Sequence, residues 1–173
     1  MSSVTEPVIV VGVNGSRASL AALRWAAEEA DRRHARLRVV LAWSPHAAAC
    51  YAPAVGRPTR EQQREAAGQK LTALLRRVFR TGLPWRLTPE LAEGVAERVL
   101  VEESADADLL VLGAAAPPST SGRSVGPVVR ACLSRARCPV VVVGPAECAG
   151  RPAMGSDPAR GKRPHLAAVP GTW

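Results

Sequence analysis

At 173 residues with 47% apolar and 22% charged side chains, the chain has the composition of a globular protein and enough length to bury a real core. No stretch reaches the roughly 20 apolar residues of a membrane span, and the opening MSSVTEP lacks a basic-then-apolar leader pattern, so a cytoplasmic protein is expected. The net charge of +8 is almost wholly arginine and is spread along the chain; with 3% aromatics and no nucleic-acid motif, it supports only non-specific electrostatic contact with nucleic acid.

In chain order, residues 8–13 (VIVVGV) read as a buried strand. Asn14, Gly15 and Ser16 form a turn able to cap the next helix. Residues 18–34 have helical spacing, with Leu20, Leu23, Ala27 and Ala30 on one stripe and i,i+4 pairs Glu28–Arg32 and Glu29–Arg33 on the other side. Residues 37–43 (LRVVLAW) are the second strand, and 44–59, with Pro45, Pro53 and Pro58, a loop. A second helix over 60–80 buries Ala67, Leu71, Leu74, Leu75 and Val78, and Gly82-Leu83-Pro84 ends it. Residues 85–92 (WRLTPELA) contain Pro89 and read as an edge strand. A short helix over 95–104 turns Ala96, Val99 and Leu100 inward.

Two wholly apolar runs then follow, residues 109–112 (LLVL) and 140–143 (VVVV), each ended by a glycine. Such runs fit strands covered on both faces. Between them lie a Gly/Pro/Ser loop, 113–127, and a helix over 126–136 with Val128, Val129, Cys132 and Ala136 at helical spacing. Strand, crossover and strand make a right-handed unit, and ligands of such units settle at the carboxyl ends of the strands. The alternation of strands and helices therefore predicts an open, mostly parallel five-stranded α/β sheet with helices on both faces. Residues 146–173, rich in proline and glycine and without apolar periodicity, read as a disordered tail.

Other chemistry finds little support. Cys50, Cys132, Cys138 and Cys148 form no C-x-x-C pair, and His34, His46 and His165 are scattered, so no metal cluster is expected and the thiols read as reduced. There is no Walker lysine and no Gly-x-Ser-x-Gly elbow, and His34 reads as an exposed helix-end residue. An enzyme is not expected.

Three stretches carry a family resemblance: residues 8–30 (VIVVGVNGSRASLAALRWAAEEA), 107–113 (ADLLVLG) and 134–145 (SRARCPVVVVGP). The chain from 7 to 145 resembles the universal stress protein domain, preceded by a short extension, 1–6. The resemblance implies a Rossmann-like sheet of order 3-2-1-4-5, an adenine-nucleotide crevice between the first and fourth strands, and a homodimer paired through the last strand.

ATP-binding members of that family carry Gly, two residues, Gly, nine residues, Gly, then Ser or Thr. Here the register is kept as Gly113, Ala116, Gly126 and Pro127. Ala116 adds a Cβ where the backbone should approach a phosphate, and Pro127 has neither N–H nor hydroxyl. The family's first-strand Asp corresponds to Asn14. The resemblance lines the pocket with Gly12, Val13, Asn14, Trp43 and Leu112, and Ser119, Thr120, Ser121, Arg123 and Ser124 offer partial compensation at the phosphate end. The expected function is a regulatory or binding protein with a degenerate nucleotide site, holding ATP weakly or not at all. The alternative is an adenine-nucleotide-dependent switch, or a weak ATPase, using the same crevice.

Overall fold

The computed structural model describes residues 6–45, 58–114 and 126–144. The elements are β1 (Val8–Gly12), α1 (Arg17–Arg33), β2 (Arg36–Trp43), α2 (Arg60–Val78), β3 (Leu87–Glu93), α3 (Ala96–Glu103), β4 (Leu109–Gly113), α4 (Pro127–Arg135) and β5 (Val140–Val143), with one 3₁₀ turn after α3. The sheet runs β3-β2-β1-β4-β5 with every pair parallel, as expected. The proposed tail lies outside the described residues.

Two apolar layers explain why the strands show no polar alternation. Ile9, Val11 and Val13 pack with Leu23, Val39, Leu74 and Val111 on the face covered by α1 and α2. Val8 and Val10 pack with Val40, Leu100, Leu110, Val129 and Cys132 on the face covered by α3 and α4. Successive side chains of a strand point to opposite faces, so a strand with helices on both sides is apolar throughout. β1 is buried at all five positions, which places it at the centre.

Local chemistry sets the helix ends. Ser16 caps α1, its Oγ accepting the Ser19 N–H at 3.1 Å, and His34 closes that helix in the left-handed region at φ 53, exposed as expected. α2 opens with a reciprocal capping box: Thr59 Oγ1 accepts the Gln62 N–H (3.2 Å), and Gln62 Oε1 accepts the Thr59 N–H (2.8 Å).

Two expectations need correction. Glu29, not Glu28, pairs with Arg32, holding both Arg32 and Arg33 at 2.6 Å because both lie within one turn of it. The third strand starts at Leu87 rather than at Trp85, because the Leu87 N–H donates to the Pro84 carbonyl (3.0 Å) and closes a turn there. Trp85 is left 84% exposed, with the Arg86 guanidinium 4.2 Å above its ring.

The sheet's two edges differ in chemistry. β3 carries Thr88, Pro89, Glu90 and Glu93, a proline and charges that discourage pairing with another strand. β5 is four valines, all half-buried. Pro139 and Val143 carbonyls accept the Leu110 and Ala114 N–H groups (3.0 and 2.9 Å). By strand alternation, the backbone groups of Val140 and Val142 therefore point away from β4.

Candidate functional site

The chain leaves β1 towards β2 on one side and returns to β4 on the other, so the loops after β1 and β4 diverge at the carboxyl ends of these two strands. A crevice at such a point is where ligands of open parallel sheets bind. Gly12, Val13 and Asn14 end the first wall, Leu112 and Gly113 the second, and Gly126 and Pro127 begin α4. Trp43 ends the neighbouring β2. Ala116, Arg123 and Ser124, with Ser119, Thr120 and Ser121, lie outside the described residues. The Val13 and Leu112 side chains are buried in opposite core layers, so these two residues meet the crevice through their backbone alone.

The turn after β1 has spent much of its hydrogen-bonding capacity on itself. Asn14 Oδ1 accepts the Ser16 N–H at 3.0 Å. The Ser19 hydroxyl donates to the Ser16 carbonyl (3.0 Å) and accepts the Asn14 N–H (3.4 Å). The carboxamide oxygen that stands in for the family's carboxylate is thus engaged in an Asx turn, and its NH2 group remains the side chain's donor.

The glycines divide by physical cause. A Cβ on Gly113 would collide with the Ala18 backbone and lie 2.6 Å from the Ser19 nitrogen, so this glycine lets β4 meet the first turn of α1. Gly12 makes room for Leu100 and Leu112, whose side-chain carbons would stand 2.9–3.1 Å from a Cβ there. Gly126 differs from both: no described atom lies within 4 Å of a Cβ built on it. Its φ of −55 is open to any residue. Among the matched glycines, Gly126 alone has no packing reason from the described residues.

Pro127 occupies the first turn of α4, and Gly126 before it provides no side-chain cap. Proline suits this position because its missing N–H would have no helical partner. The same absence removes a donor that a helix N-terminus ordinarily offers an anion.

A cleft of about 330 Å³ opens where β2 and β3 end and α2 begins, lined by Trp43, Arg60, Glu61, Arg64 and Glu93. Arg60 is held by Glu93 through Nη2 at 2.7 Å and Nε at 3.2 Å. Arg64 makes no ion pair among the described residues. On α2, Arg60 and Arg64 extend the stripe that continues as Ala67, Leu71 and Leu75, so the buried face becomes cationic where it overhangs the ends of β2 and β3. Nearly two turns after Arg64, Lys70 lays its stem against the Gly15 turn. Arg60 and Arg64 escaped the sequence reading; the change from arginine to leucine along one helical stripe was the available signal.

Nucleophilic and metal chemistry are weakly served here. Burial pushes the Cys132 thiol up to about 11, and the Cys138 thiol is raised for the same reason, so neither supplies a thiolate near neutral pH. The described residues contain no group of three His, Cys, Asp or Glu side chains able to hold a metal. No described helix is long and apolar enough to cross a membrane.

An open parallel sheet covered on both faces, with a crevice between its first and fourth strands, defines a Rossmann-like protein. Residues 7–144 match the universal stress protein family, and the chain belongs to it. It is 33% identical over 139 residues to Universal stress protein Rv2623 of Mycobacterium tuberculosis, covering 78% of this chain and 46% of that protein. The chain thus spans about half the length of the curated relatives it matches. UspA from Lactobacillus plantarum shares the fold at TM-score 0.60 and 24% identity, over 79% of this chain and 97% of that one. A universal stress protein solved in complex with cAMP aligns at TM-score 0.52 and 26% identity, over 82% of this chain and 98% of that one.

Proposed function

We propose that this chain is a regulatory binding protein of the universal stress type, not an enzyme, whose crevice takes an adenine nucleotide weakly and without a firm hold on a triphosphate. The observation that carries the reading is Pro127 at the start of α4, where the family pattern has a hydroxyl residue. Two lost hydrogen bonds to a charged phosphate, at about 1.5–3 kcal/mol each, weaken binding by on the order of a hundredfold or more. Gly113 adds no counterweight, since its packing on α1 explains that glycine without a ligand. The cAMP complex of a relative favours retention of some nucleotide binding.

Calorimetric titration of the full chain with ATP, AMP, cAMP and adenosine tests this. AMP and cAMP should bind, with ATP no tighter than AMP. ATP binding at micromolar affinity, tenfold or more tighter than AMP, would sink the reading.

The same proposal includes a homodimer formed through β5. The outward backbone groups of Val140 and Val142 need partners, and the half-buried valines provide apolar surface for a second copy. The proline and charges of β3 make that edge the poorer choice.

A further inference from the structure

We propose that a groove beside Trp85 is a docking site for an acidic segment of a partner protein, anchored there by one bulky apolar side chain. All strands run parallel, so the α1–β2 and α2–β3 connections meet at the end of the sheet opposite the crevice. The site therefore stands apart from the nucleotide reading. A groove of about 220 Å³ lies there over the buried Ala30, Ala35 and Leu37, with Pro84 and Trp85 in its wall. Leu83 and Trp85, on either side of Pro84, are large apolar side chains left 52% and 84% exposed.

The tryptophan is held ready for a partner. The Pro84 carbonyl closes its turn by accepting the Leu87 N–H at 3.0 Å. The guanidinium of Arg86 that lies over the ring is itself tied to Glu6 at 2.9 Å and donates to the His34 carbonyl. A side chain fixed beforehand loses little freedom on binding, and an aromatic anchor beside a pocket is where interface energy concentrates.

Charge selects the partner. Arg32 and Arg33 share Glu29, and Arg36 and Arg86 share Glu6. Arg76 and Arg77 in the last turn of α2, and Arg80 just after it, are exposed and make no ion pair among the described residues. Even with Glu28 and Asp31 counted, arginines outnumber carboxylates at this end, which attracts an acidic segment and opposes the same end of a second copy. Asp31, in the groove wall, separates the polyanions. It can accept a main-chain N–H from a peptide, but it repels a phosphate backbone. One ring beside an apolar groove suits one inserted side chain, not the successive aromatics on which single strands stack. A flat lipid surface would leave the groove unfilled.

A random peptide library displayed on phage and selected on the full chain tests this. Enriched peptides should carry a leucine, phenylalanine or tryptophan flanked by aspartate or glutamate. Synthesised singly, they should move the Trp85 indole N–H signal in NMR spectra, assigned by its loss in Trp85→Phe, and leave that of Trp43 still. Trp85→Ala should weaken them about thirtyfold or more, with an unchanged melting temperature. Arg76→Gln, Arg77→Gln and Arg80→Gln combined should weaken them about tenfold.

A library that yields no binder overturns the proposal, as do selected peptides that are neutral or basic, or that bind Trp85→Ala unchanged. If that variant does not fold, the indole shift in the unaltered chain decides. A thymidine oligonucleotide or phosphatidylglycerol vesicles that move the Trp85 signal at physiological salt, while acidic peptides do not, would give this end to nucleic acid or lipid instead. A Trp85 signal that moves on dilution of the free chain would give it to a second copy.

Discussion

Gly113, the last residue of β4, lies against the backbone of Ala18 in the first turn of α1 with no space between them for a Cβ. Strand end and helix start are thereby locked together beneath the crevice, whether or not a ligand is present. Gly126, the partner glycine of the same pattern, stands clear of every described atom. Two glycines of one motif therefore answer to different forces.

Alanine at each position separates those forces. Gly113→Ala must push two backbone segments apart, and is expected to cost more than about 3 kcal/mol in ligand-free denaturant unfolding. Gly126→Ala changes stability by no more than about 0.5 kcal/mol, because its φ is ordinary and the small loss at the cap is offset by reduced unfolded-state entropy. It should nonetheless weaken AMP binding, by adding a methyl group where the family pattern carries a glycine. Similar stabilities for the two variants would refute the assignment of Gly113 to packing.

Pro127→Ser restores an N–H and a hydroxyl at the start of α4. ATP affinity should rise about tenfold or more by titration calorimetry, while thermal stability falls slightly, by about 0.5 kcal/mol, for want of the rigid proline. An unchanged ATP affinity would mean that the phosphate end fails for another reason, with Ala116 and the engaged Asn14 oxygen the next residues to change.

Val142→Pro tests the β5 dimer without attacking the monomer. The Val142 N–H points away from β4, so proline there removes a donor from the outer edge and none from the internal ladder. Sedimentation should find a monomer with a native helical signal. If the variant remains dimeric, the association surface lies elsewhere.

Acid response should centre on Glu103. Desolvation first, then the charge of Glu90, raise its pKa above the ordinary 4.5, even though Arg38 Nη1 is 2.6 Å away and pulls the other way. A carboxyl whose folded pKa is raised contributes stability that is complete below pH 4.5 and is lost as pH rises through the folded value. Glu103→Gln keeps an acceptor for Arg38 and cannot ionise. It should be neutral or slightly stabilising at pH 7 and flatten the pH dependence just above pH 4.5, read from denaturant midpoints at several pH values. A marked loss at pH 7 would show that the attraction of Arg38 outweighs burial.

The order of elements, the burial of β1 and β4 on both faces, and the departures at Asn14, Ala116 and Pro127 were legible in the amino-acid sequence. Each rests on something local: apolar runs without alternation, cap and turn residues, and the covalent chemistry of proline. Tertiary structure alone decided the rest. It assigned Gly113 to the α1 backbone, engaged the Asn14 oxygen within its own turn, and gave Arg32 to Glu29. It also laid Lys70 over Gly15 and turned the Val142 N–H outward. Most of these are meetings of segments far apart in the chain, and spacing along one segment carries no record of which distant backbone will come within van der Waals reach. The two local ones, at Asn14 and Glu29, turn on a choice among near-equal neighbours that only the folded geometry makes.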